Sequence, residues 1–344
     1  MTSESAQKNS YKYWFDLNPY DQFPAVASWA EFRSLYQKHQ LHLTLPVEAP
    51  SLIGDQLREK DLFHSSLKQD IIIFQHLNYT PDFLHKLEGF KIIYVEEGQA
   101  RFTANSHQYQ LKSGNCCIVP PQTSQSLFTC DDQTCVFNVI IRSSTFQQAF
   151  SSMLHEENEL TGILWQMLHA NRKPILMCPK DISKTAMSLI KQLHHEEEAR
   201  LNYQNTIQKG LVMIFLASFW REYAQDILVL EQSVDDRRLA RIFETMDRKL
   251  SNITLTELAQ QMQLSEGYLS RYFKQATNQT FKQALKAMRL NKAAYYLEYS
   301  HLSIERICEL IGYQDQSHFY RNFKDTYQVT PNYYRKKTNR DPNV

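Results

Sequence analysis

No stretch of this chain is apolar for long enough to cross a bilayer. The longest apolar run, LVMIFLASFW at 211–220, has about half of the roughly 20 residues a crossing needs. The opening MTSESAQKNS has neither a basic n-region nor an apolar h-region, so it does not read as an export signal, and a cytoplasmic location is expected. Six cysteines, at 116, 117, 130, 135, 178 and 308, form no C-x-x-C pair and no zinc spacing, which predicts reduced, structural thiols. The H-E-x-x-H signature of a metallohydrolase is also missing. The run HHEEE at 194–198 puts His194 and His195 on different sides of a helix and reads as a solvated face.

Net charge is nearly absent, at +1, yet it is divided along the chain. Residues 235–344 hold 18 Lys+Arg against 12 Asp+Glu, or +6, which leaves 20 against 25, or −5, for residues 1–234. A chain of 344 residues exceeds one ordinary core, so two or three domains are expected. A basic module joined to a mildly acidic body suits a protein whose tail meets a polyanion.

The basic module repeats itself. Leu255, Leu258, Ala259 and Met262 follow an i, i+3, i+4, i+7 pattern that returns 49 residues later as Ile304, Ile307, Cys308 and Ile311. One inserted residue later, Leu269, Arg271, Phe273, Lys274 and Thr280 correspond to Phe319, Arg321, Phe323, Lys324 and Thr330. TLTE at 254–257 is a capping box, Ser303 can cap the second copy, and Ser265 and Asp315 can cap the helices that follow each turn. This predicts helix, tight turn, helix, twice over, joined by one long helix opening at Thr280 and Gln283. In the second copy Phe319 and Phe323 point inward and Ser317, Tyr320, Arg321 and Lys324 outward. The outward face of the first is Gly267, Ser270, Arg271 and Lys274. An outward Arg can pair bidentately with guanine or hold phosphate, and hydroxyls can contact either. Candidate base readers are therefore Gln316, Ser317, His318, Tyr320 and Arg321, with Ser265, Tyr268, Ser270 and Arg271 contributing less because Gly267 offers no side chain. Lys274, Lys282, Lys286, Arg289, Lys292 and Lys324 are candidates for phosphate contact.

GYQDQSHFYRNFKDTYQVTPNYYRK closely resembles the C-terminal signature of the AraC/XylS family of bacterial transcription regulators. The matching residues are Gly312, Tyr313, Ser317, Phe319, Arg321, Phe323, Lys324, Thr330, Pro331, Tyr334 and Arg335, and LAQQMQLSEGYLSRYFK at 258–274 resembles the family's first helix-turn-helix. The resemblance implies two recognition helices entering successive major-groove segments of an operator, about 34 Å apart. It also implies RNA polymerase as a partner and favours the role of an activator, with repression left open as the alternative.

The body reads differently. DIIIF, KIIYV, ARFTA, HQYQL, CCIVP, SLFT and CVFNVII, between 70 and 141, are short strand patterns with turns at EEG (96–98) and LKSGN (111–115). The expected fold class is α+β and multidomain: a cupin-like β-barrel or jelly roll with a helical dimerisation segment, then an all-α double helix-turn-helix. YVEEGQARF followed by YQLKSGNCCIVPP resembles the family's cupin-like sensor. A metal cupin would place H-x-H and a Glu where this chain has HKLEGFK, with Leu87 for the second His and only His85 remaining, so no metal, cofactor or enzymatic reaction is expected. Candidates for orienting an effector are His85, Lys91, Tyr94, Glu96, Arg101, Phe102 and Tyr109, with Phe128 and Phe137 as further aromatics. The family resemblance makes a carbohydrate or related small metabolite the favoured effector.

The expected divisions are an extension over 1–60 that packs on the sensor, the sensor over 61–145, a helical region over 146–230, a polar linker over 231–238 and the DNA-binding module over 239–344. The segment 211–219 is hydrophobic on too many sides for a simple surface helix, so it is buried or packs on a second copy, and the resemblance assigns dimerisation to this region. Two other readings compete. An architectural or effector-independent DNA-binding protein would explain the tail and leave the sensor superfluous, and a cupin-type enzyme would explain only the body and lacks the ligands.

Overall fold

A computed structural model describes residues 11–13, 15–16, 19–39, 56–63, 69–147, 161–171, 173–230 and 234–338. They form two compact units, one from the described parts of 1–146 and 175–230, the other from those of 147–174 and 231–344.

In the first unit the short apolar runs form β1 (Ile71–Gln75), β2 (Phe90–Glu97), β3 (Gln99–Ala104), β4 (His107–Lys112), β5 (Cys116–Val119), β6 (Gln125–Phe128) and β7 (Cys135–Ile141), joined by β8 (Ile175–Cys178) and β9 (Leu228–Leu230). Helix α1 (Trp29–His39) precedes them, α3 (Lys184–Ala199) and α4 (Gln204–Tyr223) stand between β8 and β9, and α2 (Thr161–His169), which follows β7 in the chain, belongs to the second unit. The strands make a six-stranded sheet in the order β9-β8-β5-β2-β7-β1 and a three-stranded sheet in the order β4-β3-β6. Every pairing within them is antiparallel, so directly opposed residues share a face. Ile93, Val95, Cys117, Val119 and Val136 of the large sheet therefore meet Ala100, Phe102, Ala104, Leu111 and Leu127 of the small one in a single apolar layer. This is the expected jelly-roll arrangement. Gly98 turns β2 into β3 at φ +76°, where a Cβ would lie 2.9 Å from the Thr134 Cα.

The other face of the large sheet packs on the helices, with the Phe137 ring 5.1 Å from that of His194 on α3. The N-terminal extension packs on the small sheet: Tyr20, Val26 and Phe32 join Phe83 and Phe128 in a second apolar cluster. The part of it at 40–55 lies outside the described residues.

Two expected divisions are corrected. The helical region over 146–230 is not one piece, because it contains strands β8 and β9 and because residues 161–171 belong to the second unit. The polar linker at 231–238 is also overturned from Val234 onward, where helix α5 (Val234–Arg248) begins. Its charged start hid an apolar stripe, Leu239, Ile242, Phe243 and Met246, which is buried at helical spacing. On α2, Gly162 lies against this helix, where a Cβ would come within 2.1 Å of the Ala240 carbonyl oxygen.

Candidate nucleic-acid interface and effector chamber

The repeat is geometric as well as sequential. Helices α6 (Leu255–Gln261) and α7 (Glu266–Thr277) form the first helix-turn-helix, α8 (Phe281–Tyr299) connects, α9 (Ile304–Ile311) and α10 (Gln316–Tyr327) form the second, and α11 (Pro331–Thr338) closes the unit. Thr254 with Glu257 and Thr280 with Gln283 make reciprocal capping boxes, and Ser265, Ser303 and Asp315 each accept a backbone N–H at the start of their helices. Each such cap is worth about 1 kcal/mol. The tight turns match bond for bond: the Leu264 N–H donates to the Ala259 carbonyl at 2.9 Å, and that of Tyr313 to Cys308 at 2.8 Å. Both turns need a left-handed residue, Gln263 at φ 56° in the first and Gly312 at φ +80° in the second. Leu258, Leu269 and Phe273 anchor the first pair, and Ile307, Ile311, Phe319 and Phe323 the second, all buried.

This packing decides which candidate side chains face outward. On α10, Gln316, Arg321 and Lys324 are exposed and their side chains make no hydrogen bond or ion pair among the described residues, and on α7 the same holds for the side chains of Ser270, Arg271 and Lys274. Lys282 is exposed on α8 and Lys286 half-buried, likewise without a partner. Ser317 and Ser265 are exposed, Ser265 with its hydroxyl engaged as the cap of α7. His318 contacts Asn322 Nδ2 at 3.0 Å through Nε2, and Tyr320 is half-buried, its hydroxyl accepting from Asn332 at 3.1 Å. The Tyr268 ring stacks on Tyr272 at 6.2 Å, and its hydroxyl accepts from Arg238 at 3.4 Å.

Two phosphate candidates are corrected. The Arg289 guanidinium donates to the Leu250 and Ser251 carbonyls, both at 3.0 Å, and ties α8 to the end of α5. The Lys292 ammonium lies over the Tyr296 ring at 5.8 Å, and burial lowers its pKa. Conversely, Arg237, Arg238 and Arg241 of α5 line a cavity of about 480 Å³ with Gln261, Met262 and Gln263, beside the first turn. The D-D-R-R-L-A-R spacing could have revealed them had the linker been read as a helix start.

In the first unit, strand parity sorts the effector candidates. Lys91 opposes Val119 and Ile140, so it shares the inner face of Ile93 and Val95. Phe102 belongs to the inner apolar layer, Tyr109 packs against it, and His85 bridges to Gln125, which opposes the inner Ala104. Tyr94, Glu96 and Phe137 fall on the opposite face of the large sheet, which corrects their assignment; Glu96 there pairs with Lys191 of α3 at 2.5 Å. Arg101 and Phe128 are corrected as well. They lie on the outer face of the small sheet, where the guanidinium sits 4.6 Å from the Phe128 ring and bonds Asp82 at 3.1 Å and the Asp21 and Phe23 carbonyls, clamping the N-terminal extension.

Three inner residues escaped the sequence reading. His76 opposes the inner Val136 by its backbone bond, Asn138 opposes Ile93, and Gln125 neighbours His85. Gln125 and Asn138 are buried and His76 half-buried, and His76 Nε2 and both amide atoms of Gln125 and of Asn138 lack a hydrogen-bond partner among the described residues. Burial, reinforced by the Lys91 charge, lowers the pKa of His76 to about 3 and that of His85 to about 4, while burial brings Lys91 down to about 8. The Asn within CVFNVII and the His just beyond DIIIF were the available signals. Among the described residues no group of three or more His, Cys, Asp or Glu is placed to hold a metal ion, and no helix is long and apolar enough to cross a membrane.

Comparison with known proteins finds a family match in each unit. Residues 258–337 match a helix-turn-helix domain family, and residues 73–171 match the AraC-like ligand binding domain family. The raffinose operon transcriptional regulatory protein RafR of Pediococcus pentosaceus is 24% identical over 283 residues, spanning 80% of this chain and 97% of its own. The transcriptional activator RhaR of Mannheimia succiniciproducens is 24% identical over 269 residues, 77% of this chain and 92% of its own. Among solved structures, the C-terminal domain of the response regulator yesN from Fusobacterium nucleatum is 34% identical over 28% of this chain and 94% of that one, with a TM-score of 0.27. ToxT from Vibrio cholerae with a bound unsaturated fatty acid is 14% identical over 77% and 94%, with a TM-score of 0.33. With its ligand-binding domain and its duplicated helix-turn-helix both matched, the chain belongs to the AraC family of transcription regulators.

Proposed function

We propose that this regulator activates transcription of an operon for uptake or breakdown of a carbohydrate or related small metabolite, reading its operator mainly through α10 and responding to an effector held between the two sheets. The observation that carries the reading is the pair of in-register recognition helices whose outward Arg271 and Arg321 have no partner among the described residues. Gln316, Ser317 and Arg321 are the base readers, with Ser270 and Arg271 as the weaker set, and Lys274, Lys282, Lys286 and Lys324 neutralise phosphates. His318, Tyr320, Tyr268 and Ser265 support the helices that carry them. The name of the raffinose operon regulator supports the carbohydrate class, that of the transcriptional activator RhaR supports the activator role, and that role makes RNA polymerase a partner.

A homodimer is part of the proposal. Ile207 and Ile214 of α4 are 42% and 54% exposed, and Gly210 between them has nothing within 4 Å of a built Cβ, leaving a 207, 210, 214, 217 seam of coiled-coil spacing open to a second copy. Mobility-shift titration over an operator panel tests the DNA reading. Arg321→Ala should weaken binding by about 1–3 kcal/mol and relax specificity at one position, whereas Lys324→Ala should weaken all sequences alike and flatten the salt dependence by about 0.9 in log–log slope. Unchanged binding by the Arg321 variant removes that residue from the readout.

A further inference from the structure

Lys91 is 4% exposed on the inner face of β2 and makes no hydrogen bond or ion pair with a described residue. The titratable groups facing it are His76 beyond β1, His85 ahead of Gln125 and Cys117 of β5, with no carboxylate among the interactions that shift it. Gln125 and Asn138 add two buried amides whose donors and acceptors are all unmatched. A buried cation and several orphaned polar atoms facing the same interior are unfavourable unless a ligand completes them.

Resting on the reading of this unit as an effector-binding module, we propose that the effector carries an oxyanion, a carboxylate or phosphate on a hydroxylated frame, whose charge is met by Lys91 and whose hydroxyls are met by Gln125, Asn138 and His76. The amides each donate and accept, which suits hydroxyls, and neutral imidazoles add donors without competing for the anion. A neutral sugar would leave the ammonium unpaired. In the ligand-free protein Lys91 has a folded pKa of about 8 against an ordinary 10.5, so the unfolded chain holds its proton over a range where the native chain has lost it, and stability from this group rises between pH 8 and 10.5. A bound oxyanion restores the charged form and removes that rise.

The test is differential scanning fluorimetry of the full-length chain with gluconate, glucuronate and glucose 6-phosphate set against glucose and galactose. At least one acid should raise the Tm, carboxylate and phosphate arms separating the two sources of charge, and Lys91→Met should abolish the shift. Without ligand, Lys91→Met should melt about 2–4 °C higher, since it removes an uncompensated buried cation, and Lys91→Gln provides a second variant of different shape. The Tm of wild type relative to Lys91→Met gives an independent reading: buried thiols with raised pKa, Cys117 among them, lower the stability of both proteins alike above pH 9, so wild type should gain on the variant between pH 8 and 10, and a bound acid should suppress that gain. Stabilisation by a neutral sugar that survives Lys91→Met overturns the charge assignment alone, as does a loss of stability in both variants with no alkaline gain of wild type on Lys91→Met. Silence from acids and sugars alike, with operator affinity unmoved by any of them, overturns the effector reading itself.

Discussion

Gly312→Ala is the sharpest test of how the second recognition helix is held. The residue sits at φ +80°, and a Cβ there would lie 1.9 Å from the Ser251 carbonyl oxygen, a backbone atom that cannot rotate away. A left-handed alanine costs about 1–2 kcal/mol on conformation alone. Relieving the overlap means displacing Ser251 by roughly an ångström, an overpacking cost of about 1–3 kcal/mol. That displacement also strains the 3.0 Å bond from Arg289 to the same carbonyl. Together these should destabilise the C-terminal unit by on the order of 3–5 kcal/mol and lower its melting temperature by more than about 10 °C. The repeat supplies a control. Gln263 holds the equivalent place at φ 56°, so Gln263→Gly should be neutral or stabilising by up to about 1 kcal/mol. Thermal unfolding by circular dichroism, followed by operator titration below the transition, measures both. A Gly312→Ala protein within about 0.5 kcal/mol of wild type would refute the reasoning, since neither the close approach nor the positive φ would then constrain the turn.

Other outcomes follow from the same geometry. Ile214→Glu places a charge in the middle of the α4 seam and should give a monomer by sedimentation velocity while leaving the far-UV spectrum intact. Gly267→Ala meets only the Arg271 guanidinium, 3.7 Å from the built Cβ, so it should stabilise α7 by about 0.5–1 kcal/mol in chemical denaturation. His76 and His85 have native pKa values of about 3 and about 4 against 6.5, so the unfolded chain takes up protons first. Their contribution is therefore complete above pH 6.5 and falls away toward pH 4, by up to about 1.4 kcal/mol per pH unit for each, and His76→Asn should reduce the slope of Tm against pH in that window.

Much of the DNA-binding unit was legible because its information is local. Capping boxes at Thr254 and Thr280 and the apolar stripes act within about four residues, and the helices begin where those caps stand. The strands were legible for the same reason, as alternating or continuous apolar runs between turns. Three things were not. The start of α5 was masked by surface charge, the strands β8 and β9 are too short to stand out from the helices around them, and the phosphate role given to Arg289 ignored carbonyls 38 and 39 residues away that only the fold brings near.

The sequence by itself thus determined the family, the duplicated reader and the faces of its helices, because helix periodicity and capping are short-range properties of the chain. Only the tertiary structure decided which polar side chains share the inner face. Lys91, His76, Gln125 and Asn138 come from four separate segments and meet because antiparallel register fixes the face of every residue at once. Tyr94 and Glu96 lie one strand face away from Lys91 and are lost to that chamber by the same parity, a distinction no single segment encodes.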